Sequence, residues 1–473
     1  MSSTERNRSG LIPALGLVAA TSMIVCNIVG QGIFLKTRAM TCNVGTPEWV
    51  LGIWIAAGIL ALCGALTFAE LGAMMPESGG PYAWLREGYG PLAAFSYGWM
   101  IFFVGAPSSI AALGAGSAIF FDALSGGALD NVEIRFGAHL LLSGVQIFAV
   151  LMIAVVSAVN CLPVRTNGLV ATGLTILKIS LIGGLVVASF AIGHGDWGHF
   201  GASGLAGSCA GVAASARGGA GGIAAAMIGA LYAYNGWASL TYISAEIKDP
   251  GRTIPRAITS AVIIVIALYV LVNTAYFFML SPQMIAGIAP TSSVGVELVR
   301  SLLGRSSAGL AAAIVFASVT ATLHVVILTY ARITNAFARD GSFFPWLGRT
   351  SEWSRVPVRA VVVQGALAAA LALFGSFDAL SNYSVFNLWV FFALAATTIF
   401  VFRRTLPNRD RPYRAWGYPF IPAVFVAVAA WILITATLAA PLQSVIGVAI
   451  VAASVPVYVF LAGVYRGRAR QQS

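Results

Sequence analysis

Long apolar runs alternate with short polar segments along almost the whole chain of 473 residues. Each run is long enough to supply the roughly 20 helical residues that cross a bilayer core of about 30 Å. We count twelve such runs and predict one transmembrane helix for each. Their predicted bounds are 11–40, 49–74, 91–121, 139–161, 166–192, 222–245, 254–280, 308–338, 358–374, 385–402, 419–438 and 444–465.

The composition also indicates a membrane protein, because 59% of the residues are hydrophobic and only 9% are charged. A soluble chain of this kind could not cover its surface with polar groups, which excludes an ordinary soluble enzyme and a nucleic-acid-binding domain. The first run is predicted to remain in the mature protein, since it exceeds the apolar core of a secretory signal. The five cysteines contain no Cys-x-x-Cys pattern, so we predict neither a disulfide framework nor a metal site.

The distribution of basic residues predicts the orientation in the membrane. With a cytoplasmic N-terminus, 20 of the 27 Lys and Arg residues fall in cytoplasmic segments, six fall in external segments, and Lys178 lies within a span. We therefore predict a multi-pass protein of the cell membrane with cytoplasmic tails at 1–10 and 466–473. The net charge of +11 is attributed to this orientation rather than to a polyanionic partner. The Gly-rich segment 193–221 is predicted to be a flexible external loop.

Glycine pairs interrupt two of the apolar runs near their middles. The first run contains Gly30-Gln31-Gly32, and the sixth contains Tyr234-Asn235-Gly236. Unwound backbone at membrane depth survives only where it is buried in protein or lines a cavity. Two interrupted segments five spans apart are typical of a transporter with inverted five-helix repeats and a binding site at mid-membrane. The alternative is that these glycines serve close packing of unbroken helices.

Broken helices would suit a zwitterionic ligand. The N–H groups at the start of the inner half-helix lie at the positive end of a helix dipole, which favours a carboxylate. Freed carbonyl groups at the broken ends favour an ammonium group. The pattern therefore points to amino acids as substrates.

Several motifs together resemble the amino acid–polyamine–organocation superfamily, and within it the L-type transporters and bacterial serine/threonine-type exchangers. The resemblance covers nearly all of residues 11–465. It implies an all-α membrane fold of twelve helices, with two five-helix repeats at 11–192 and 222–402 and a C-terminal helix pair at 403–465. The motifs are Val29-Gly30-Gln31-Gly32-Ile33-Phe34, Ala69-Glu70-Leu71-Gly72, Pro76-Glu77-Ser78-Gly79-Gly80-Pro81-Tyr82, Tyr234-Asn235-Gly236-Trp237, Glu246-Ile247-Lys248-Asp249-Pro250, Ala338-Arg339-Asp340-Gly341 and Arg411-Pro412-Tyr413-Arg414.

The resemblance also implies a substrate site on the two broken helices. The Gly-Ser-Gly turn that holds the substrate carboxylate in this family matches Gly30, Gln31 and Gly32, which follow Val29. Glutamine therefore replaces the central serine, and any hydroxyl contact from that position is lost. The aromatic gate of the family falls at Tyr232. The carbonyls of the broken sixth helix that face the substrate match Tyr232, Ala233 and Asn235.

Lys178 is the one lysine or arginine predicted well inside a span, where a charge costs about 2.5–3.5 kcal/mol. The resemblance places this lysine where sodium-coupled relatives bind a cation. We therefore expect its ammonium group to replace that ion and to bond carbonyls near Cys26 to Gly30. The candidate hydroxyl partners are Ser318 and Thr320. The alternative is a lysine that snorkels to the membrane interface.

The predicted function is secondary transport of neutral amino acids by alternating access, without a cofactor. The resemblance implies that the protein is a sodium-independent exchanger. Neutral substrates are favoured because no acidic residue stands near the middle of a span, although a carrier of cationic amino acids or polyamines remains the alternative. The predicted spans show no continuous polar pore lining, which a channel would need, and no catalytic cluster, which an intramembrane enzyme would need. Some members of the family that the chain resembles have a partner chain linked by a disulfide from the loop that matches 122–138. This segment contains no cysteine, so no disulfide-linked partner chain is expected. Glu70 and Glu246, near span ends, are predicted to form structural ion pairs with Arg or Lys.

Overall fold

The computed structural model describes residues 11–129, 132–136, 140–204, 207–289, 292–304, 307–341, 343–374, 377–439 and 441–471. Within these ranges the chain is almost entirely helical. The strands found there form one short antiparallel hairpin, Glu133–Phe136 (β1) with Leu140–Ser143 (β2). The all-α prediction is therefore confirmed, and the second strand of the hairpin occupies the beginning of the predicted fourth run.

Helices account for nearly all other described segments. Short 3-10 turns lie at Trp197–Gly201, Ala214–Ala216, Ser244–Glu246 and Pro345–Gly348, and one π-helical turn, Ile101–Gly105, joins α5 to α6. The α-helices are α1 Leu17–Ile28, α2 Gly32–Val44, α3 Pro47–Met74, α4 Pro81–Tyr89, α5 Pro91–Met100, α6 Ala106–Leu124, α7 Gly144–Asn160, α8 Val164–Ala191, α9 Gly219–Ala233, α10 Ser239–Tyr242, α11 Pro250–Met279, α12 Pro282–Gly287, α13 Val294–Leu303, α14 Ala308–Arg339, α15 Val358–Phe374, α16 Phe377–Thr405, α17 Phe420–Ala439 and α18 Pro441–Gln471.

The lengths and hydropathy of these helices are those of a multi-pass membrane protein. Taken together, α1 and α2 are long and apolar enough to cross a membrane as one segment that is bent by 43°. Shorter apolar stretches lie at Gly144–Asn160, Gly219–Ala233, Val358–Phe374, Phe420–Thr435 and Gly447–Leu461. In the described residues, continuous helical segments long enough to cross a membrane are Pro47–Met74, Pro91–Leu124, Val164–Ala191, Pro250–Met279, Gly309–Arg339 and Leu388–Thr405.

Four long helices, α3, α6, α11 and α14, form the packed centre. Helix α11 lies against α1 and α3, and α14 lies against α6, α8 and α1. Proline occupies the first position of α3 and α11, where its missing N–H leaves no intrahelical bond unmade. Behind the second interrupted segment, the ring of Trp54 contacts Tyr234 and Tyr269 at centroid distances of 5.9 and 5.0 Å. The interrupted segments are thus enclosed by protein.

A disulfide between Cys42 and Cys209 joins the end of α2 to the Gly-rich segment. The sequence, from which we predicted no disulfide framework, gave no indication of this pair. The two cysteines are 167 residues apart in the sequence, and the fold brings them together where no local cysteine motif could indicate the pair. The other three cysteines, Cys26, Cys63 and Cys161, are free.

The described part of the Gly-rich segment is tied to the end of α2, which corrects the expectation of a flexible loop. The N–H of Gly204 donates to the Gly45 carbonyl at 2.7 Å, and the N–H of Gly218 donates to the Asn43 carbonyl at 2.6 Å. The Arg38 guanidinium donates to the carbonyl oxygen of Ala210 at 2.5 Å. Main-chain bonds and the disulfide therefore hold this segment on α2.

Candidate functional site

The first break separates α1 from α2. Helix α1 ends at Ile28, and the N–H of Gly30 turns back to donate to the Ile28 carbonyl at 2.8 Å. Helix α2 then begins at Gly32 with Gln31 as its N-cap. Among the described residues, no hydrogen bond uses the backbone N–H of Gln31, Gly32 or Ile33. These donors form the positive end of the α2 dipole and are available to an anionic group.

The second break separates α9 from the short helix α10. Helix α9 ends at Ala233, and residues 234–238 form turns rather than helix. The N–H of Asn235 donates to the Tyr232 carbonyl at 3.1 Å. Gly236 has a φ of +123°, a conformation that glycine adopts without strain. The sixth apolar run is therefore interrupted at the position that its sequence predicts.

The two breaks lie directly against each other. A Cβ atom on Gly32 would stand 2.6 Å from the Ala233 Cβ, so only glycine allows α2 to come this close to α9. The Tyr269 hydroxyl of α11 lies 3.0 Å from the Ile28 carbonyl and 2.9 Å from the Ala233 carbonyl. The Tyr269 hydroxyl thus contacts one carbonyl at the end of each broken helix.

A cavity of about 100 Å³ lies between the two breaks, α6 and α14. A single water needs only about 10–15 Å³ of such space, so the cavity can hold a small organic solute. Six of the seven predicted substrate residues line it, namely Gly30, Gln31, Gly32, Tyr232, Ala233 and Asn235. Val29 does not line it, and the Val29 carbonyl accepts bonds from Lys178 and Ser318. The other lining residues are Asn27, Ile28, Ser109, Ala112, Leu113, Gly236, Ser239, Tyr242, Thr322, Val326, Thr329 and Tyr330.

The side chains of Gln31 and Tyr232 join the two broken helices at the cavity wall. The Gln31 Nε2 donates to the Tyr232 hydroxyl at 3.2 Å. The Lys36 ammonium lies 4.7 Å from the centroid of the Tyr232 ring, within the range of a cation–π contact. Tyr232 is therefore held by α2 from two sides.

Lys178 lies behind the first break and is only 2% exposed. Its ammonium donates to the Cys26 carbonyl at 2.9 Å, to the Val29 carbonyl, and to the Thr322 hydroxyl at 3.0 Å. The carbonyls are those that α1 leaves unpaired where it ends. The three ammonium donors are thus satisfied by neutral oxygens, and the snorkelling alternative does not apply.

The hydroxyl partner of Lys178 is Thr322 rather than Thr320. The Thr322 hydroxyl also donates to the Cys26 carbonyl at 2.9 Å, and Ser318 donates to the Val29 carbonyl at 3.2 Å. The Thr320 hydroxyl is buried and makes no hydrogen bond among the described residues. Helical periodicity explains the difference, because Ser318 and Thr322 lie one turn apart on one face of α14, whereas Thr320 points away.

Thr322 and Tyr269 are functional candidates that the predictions from the sequence did not include. The spacing of four from Ser318 was the signal that could have found Thr322. Tyr269 has no such signal, since nothing in the sequence distinguishes it from other tyrosines in apolar runs. Its hydroxyl acquires a role only because α11 packs against both broken helices.

Glu70 and Glu246 form ion pairs away from the cavity, as predicted. Arg332 donates to Glu246 at 2.9 Å, and both side chains are fully buried. Glu70 accepts from Arg403 at 2.7 Å, and Arg411 lies 3.5 Å away. We call this set of five residues the ion-pair cluster.

Known proteins match the chain over almost its whole length. The model of the family "Amino acid permease" matches residues 15–463. The serine/threonine exchanger SteT of Bacillus subtilis is 31% identical over 464 residues, which are 96% of this chain and 98% of the relative. The human b(0,+)-type amino acid transporter 1 is 30% identical over 87% of this chain and 80% of the relative. The human cystine/glutamate transporter is 27% identical over 96% of this chain and 89% of the relative.

These matches confirm the resemblance to the L-type and serine/threonine-exchanger branch of the amino acid–polyamine–organocation superfamily. The broken helices and the cavity between them fit a protein that binds a small solute within the membrane. By sequence along 15–463, the chain belongs to the amino acid permease family and is a membrane transporter rather than an enzyme.

Proposed function

We propose that the protein exchanges neutral amino acids across the cell membrane by alternating access. The observation that carries this proposal is the contact of the two broken helices around one small cavity. Among the described residues, the N–H groups of Gln31, Gly32 and Ile33 make no hydrogen bond, and Gln31 and Gly32 line that cavity. Binding there would draw the broken helices together before the protein opens on the other side.

A zwitterion fits the polarity of the proposed site. The substrate carboxylate would accept from the N–H groups at the start of α2, where the helix dipole is positive. The ammonium would donate to carbonyls of the broken ends, including those of Tyr232, Ala233 and Asn235. The Lys178 ammonium behind the break adds positive charge on the carboxylate side.

The proposed architecture is twelve membrane crossings with both termini in the cytoplasm. Six long helices, the bent pair α1 and α2, and five shorter apolar helices would supply these crossings. We propose inverted five-helix repeats at 11–192 and 222–402, an external segment at 193–221, and a C-terminal pair at 403–465. The 20 basic residues assigned to cytoplasmic segments support this orientation. Labelling of single introduced cysteines from each side of sealed vesicles would test it.

Exchange is tested with the purified chain in proteoliposomes loaded with unlabelled serine. Uptake of labelled serine should saturate and should be several-fold faster into loaded than into empty vesicles. A channel would give neither saturation nor this stimulation from the opposite side. Activity of the lone chain would also support function without a disulfide-linked partner.

Sodium independence is proposed because Lys178 places a fixed ammonium against the carbonyls of Cys26 and Val29. A sodium ion at that place would meet like-charge repulsion. Uptake should therefore be unchanged when choline replaces sodium on both sides. Stimulation by sodium would contradict this part of the proposal.

Neutral substrates are proposed because the residues lining the described cavity include no aspartate or glutamate. A cationic side chain or a polyamine would need such a partner when desolvated. Unlabelled serine and alanine should compete with labelled serine, whereas arginine and putrescine should not. The reverse order would favour the cationic alternative.

The cavity itself is tested by Gly32→Ala. The new Cβ would stand 2.6 Å from Ala233 and force the two breaks apart. Gly183→Ala is the matched control, since a Cβ there meets no atom within 4 Å. We expect the first variant to lose most of its exchange and the control to retain it.

A further inference from the structure

The amide of Gln31 is buried with one of its two ends unpaired. Gln31 is only 4% exposed, and its side-chain Nε2 donates to the Tyr232 hydroxyl. The Oε1 atom has no hydrogen-bond partner among the described residues. A buried acceptor without a donor is destabilising, so this oxygen marks a place for an incoming donor.

Among the described residues, no donor is bonded to this oxygen. Gln31 reaches from the start of α2 towards α6, where a Cβ on Gly116 would stand only 2.6 Å from Oε1. Helix α6 meets the amide at a glycine, and its backbone N–H groups at that point belong to the helix. About one turn earlier, Ala112 and Leu113 of α6 line the same cavity as Gln31. Gln31 therefore forms part of the cavity wall, with its unpaired oxygen buried against Gly116 of α6.

We infer that Gln31 is a specificity-determining residue, whose Oε1 accepts a hydrogen bond from a hydroxyl on the side chain of a small amino acid. This inference rests on the proposed function. The backbone N–H of Gln31 is assigned to the substrate carboxylate, so its side chain lies beside the substrate rather than beyond it. The α-ammonium has carbonyl acceptors at the broken ends, which leaves the amide oxygen for the side chain.

The size and polarity of the cavity agree with such a substrate. Its volume of about 100 Å³ suits a short side chain. The lining residues include Ser109, Ser239 and Thr329, which carry hydroxyl groups. A site built to bond a hydroxyl discriminates against the analogue that lacks it, because the polar group of the protein is then left unpaired.

The test uses substrate pairs that match in size and differ only in hydroxyl against methyl. These are serine with 2-aminobutyrate and threonine with valine. Their kcat/KM values are measured by exchange in proteoliposomes for the wild-type protein and for Gln31→Met, which keeps the length of the side chain and removes the amide. The wild-type protein should favour the hydroxyl member by about five- to tenfold, the size of one net hydrogen bond. Gln31→Met should lower that ratio to about one.

Thr320→Val is the matched control, since it also removes a buried hydrogen-bonding atom without a described partner but lies outside the cavity. Its ratio should equal that of the wild type. Gly116→Ala provides a second variant, because its Cβ would displace the Gln31 oxygen and lower the same ratio. Thermal unfolding of each purified variant reports whether it has folded.

The outcomes separate this inference from the proposed function. A wild-type protein without saturable exchange of any amino acid would overturn the proposed function itself. Exchange with an unchanged hydroxyl preference in folded Gln31→Met and Gly116→Ala would overturn the inference alone. An equal loss of all four substrates in folded variants would also overturn it, since the amide would then serve the common amino acid group.

Discussion

At the centre of the molecule the Lys178 ammonium is bonded to two main-chain carbonyls and a threonine hydroxyl, whereas in the ion-pair cluster arginines are bonded to carboxylates. Both Lys178 and Arg332 are buried. The planar guanidinium of arginine matches a carboxylate with two parallel bonds, as Arg332 does with Glu246. Lysine instead presents a compact charge with three donors, which suits the carbonyls that a broken helix leaves free.

The difference has an electrostatic consequence. A guanidinium–carboxylate pair is neutral as a unit, so the pair of Arg332 and Glu246 fixes two elements without a strong field around it. The cluster at Lys178 keeps a net positive charge, because its partners are neutral oxygens. That charge lies beside the N–H groups of the first break, where a substrate carboxylate is proposed to bind. The first arrangement is structural and the second can also attract a ligand.

The largest effect is expected from Lys178→Met. The variant loses the charge and the two bonds that the ammonium makes to the carbonyls of Cys26 and Val29. Hydrogen bonds to charged groups contribute about 1.5–3 kcal/mol each, so the loss of two corresponds to at least about a 100-fold fall in exchange. The initial rate of serine exchange in proteoliposomes measures it. Lys248→Met, at an exposed lysine, should exchange as the wild type does. Equal rates in the two variants would mean that the buried charge of Lys178 does not serve exchange.

Glu246→Gln should have the next largest effect, on stability. The substitution leaves the Arg332 guanidinium as an uncompensated buried charge, and breaking a buried pair in this way costs about 3–5 kcal/mol. Thermal unfolding of the detergent-purified protein should show a clearly lowered midpoint. Glu352→Gln, at an exposed carboxylate, should leave the midpoint unchanged. An unchanged midpoint in Glu246→Gln would mean that the pair is not structural.

Thr322→Val should have a smaller effect. The hydroxyl bonds both the Lys178 ammonium and the Cys26 carbonyl, and its loss should lower the free energy of unfolding by about 1–2 kcal/mol. Thr320→Val is the control on the same helix, because its hydroxyl has no described partner. We expect no destabilisation there. Equal unfolding midpoints for the two variants would mean that the bond from Lys178 to Thr322 does not stabilise the protein.

The smallest effect is expected where an arginine pair is exposed to water. Arg86 donates to Glu77 at 2.9 Å and to Asp340 at 2.8 Å, with 36% of its side chain exposed. Exposed pairs contribute about 0.2–1 kcal/mol and are screened by salt. Arg86→Ala should therefore shift the unfolding midpoint slightly at low ionic strength and hardly at all at 1 M salt. A salt-independent shift as large as that of Glu246→Gln would contradict this ranking.

The sequence predicted the cavity better than it predicted what surrounds the cavity. Gly30-Gln31-Gly32 and Tyr234-Asn235-Gly236 were recognisable because glycine beside a polar residue interrupts an apolar run, and the backbone groups released there need a protein or cavity environment. Lys178 was recognisable because a charge is costly in the middle of a span. The partners of Lys178 were only half predicted, because the choice between Thr320 and Thr322 depends on which face of α14 meets the first break.

The disulfide and the bridging tyrosine were beyond the sequence altogether. Cys42 and Cys209 are far apart in the chain, and only the folding of the Gly-rich segment onto α2 brings them together. Tyr269 contacts both broken helices because α11 packs between them and α3. Neither contact leaves a periodic or local pattern in the sequence.

The amino-acid sequence by itself determined that the chain is a helical membrane protein, where its helices break, and that Lys178 lies well inside an apolar run. These properties depend on local hydrophobicity and on the backbone hydrogen bonds that glycine-rich segments give up inside a bilayer. Only the tertiary structure decided which oxygens surround Lys178, that Gln31 keeps an unpaired acceptor, and that Cys42 meets Cys209. Those contacts join residues far apart in the chain, so they depend on how the helices pack rather than on any one helix.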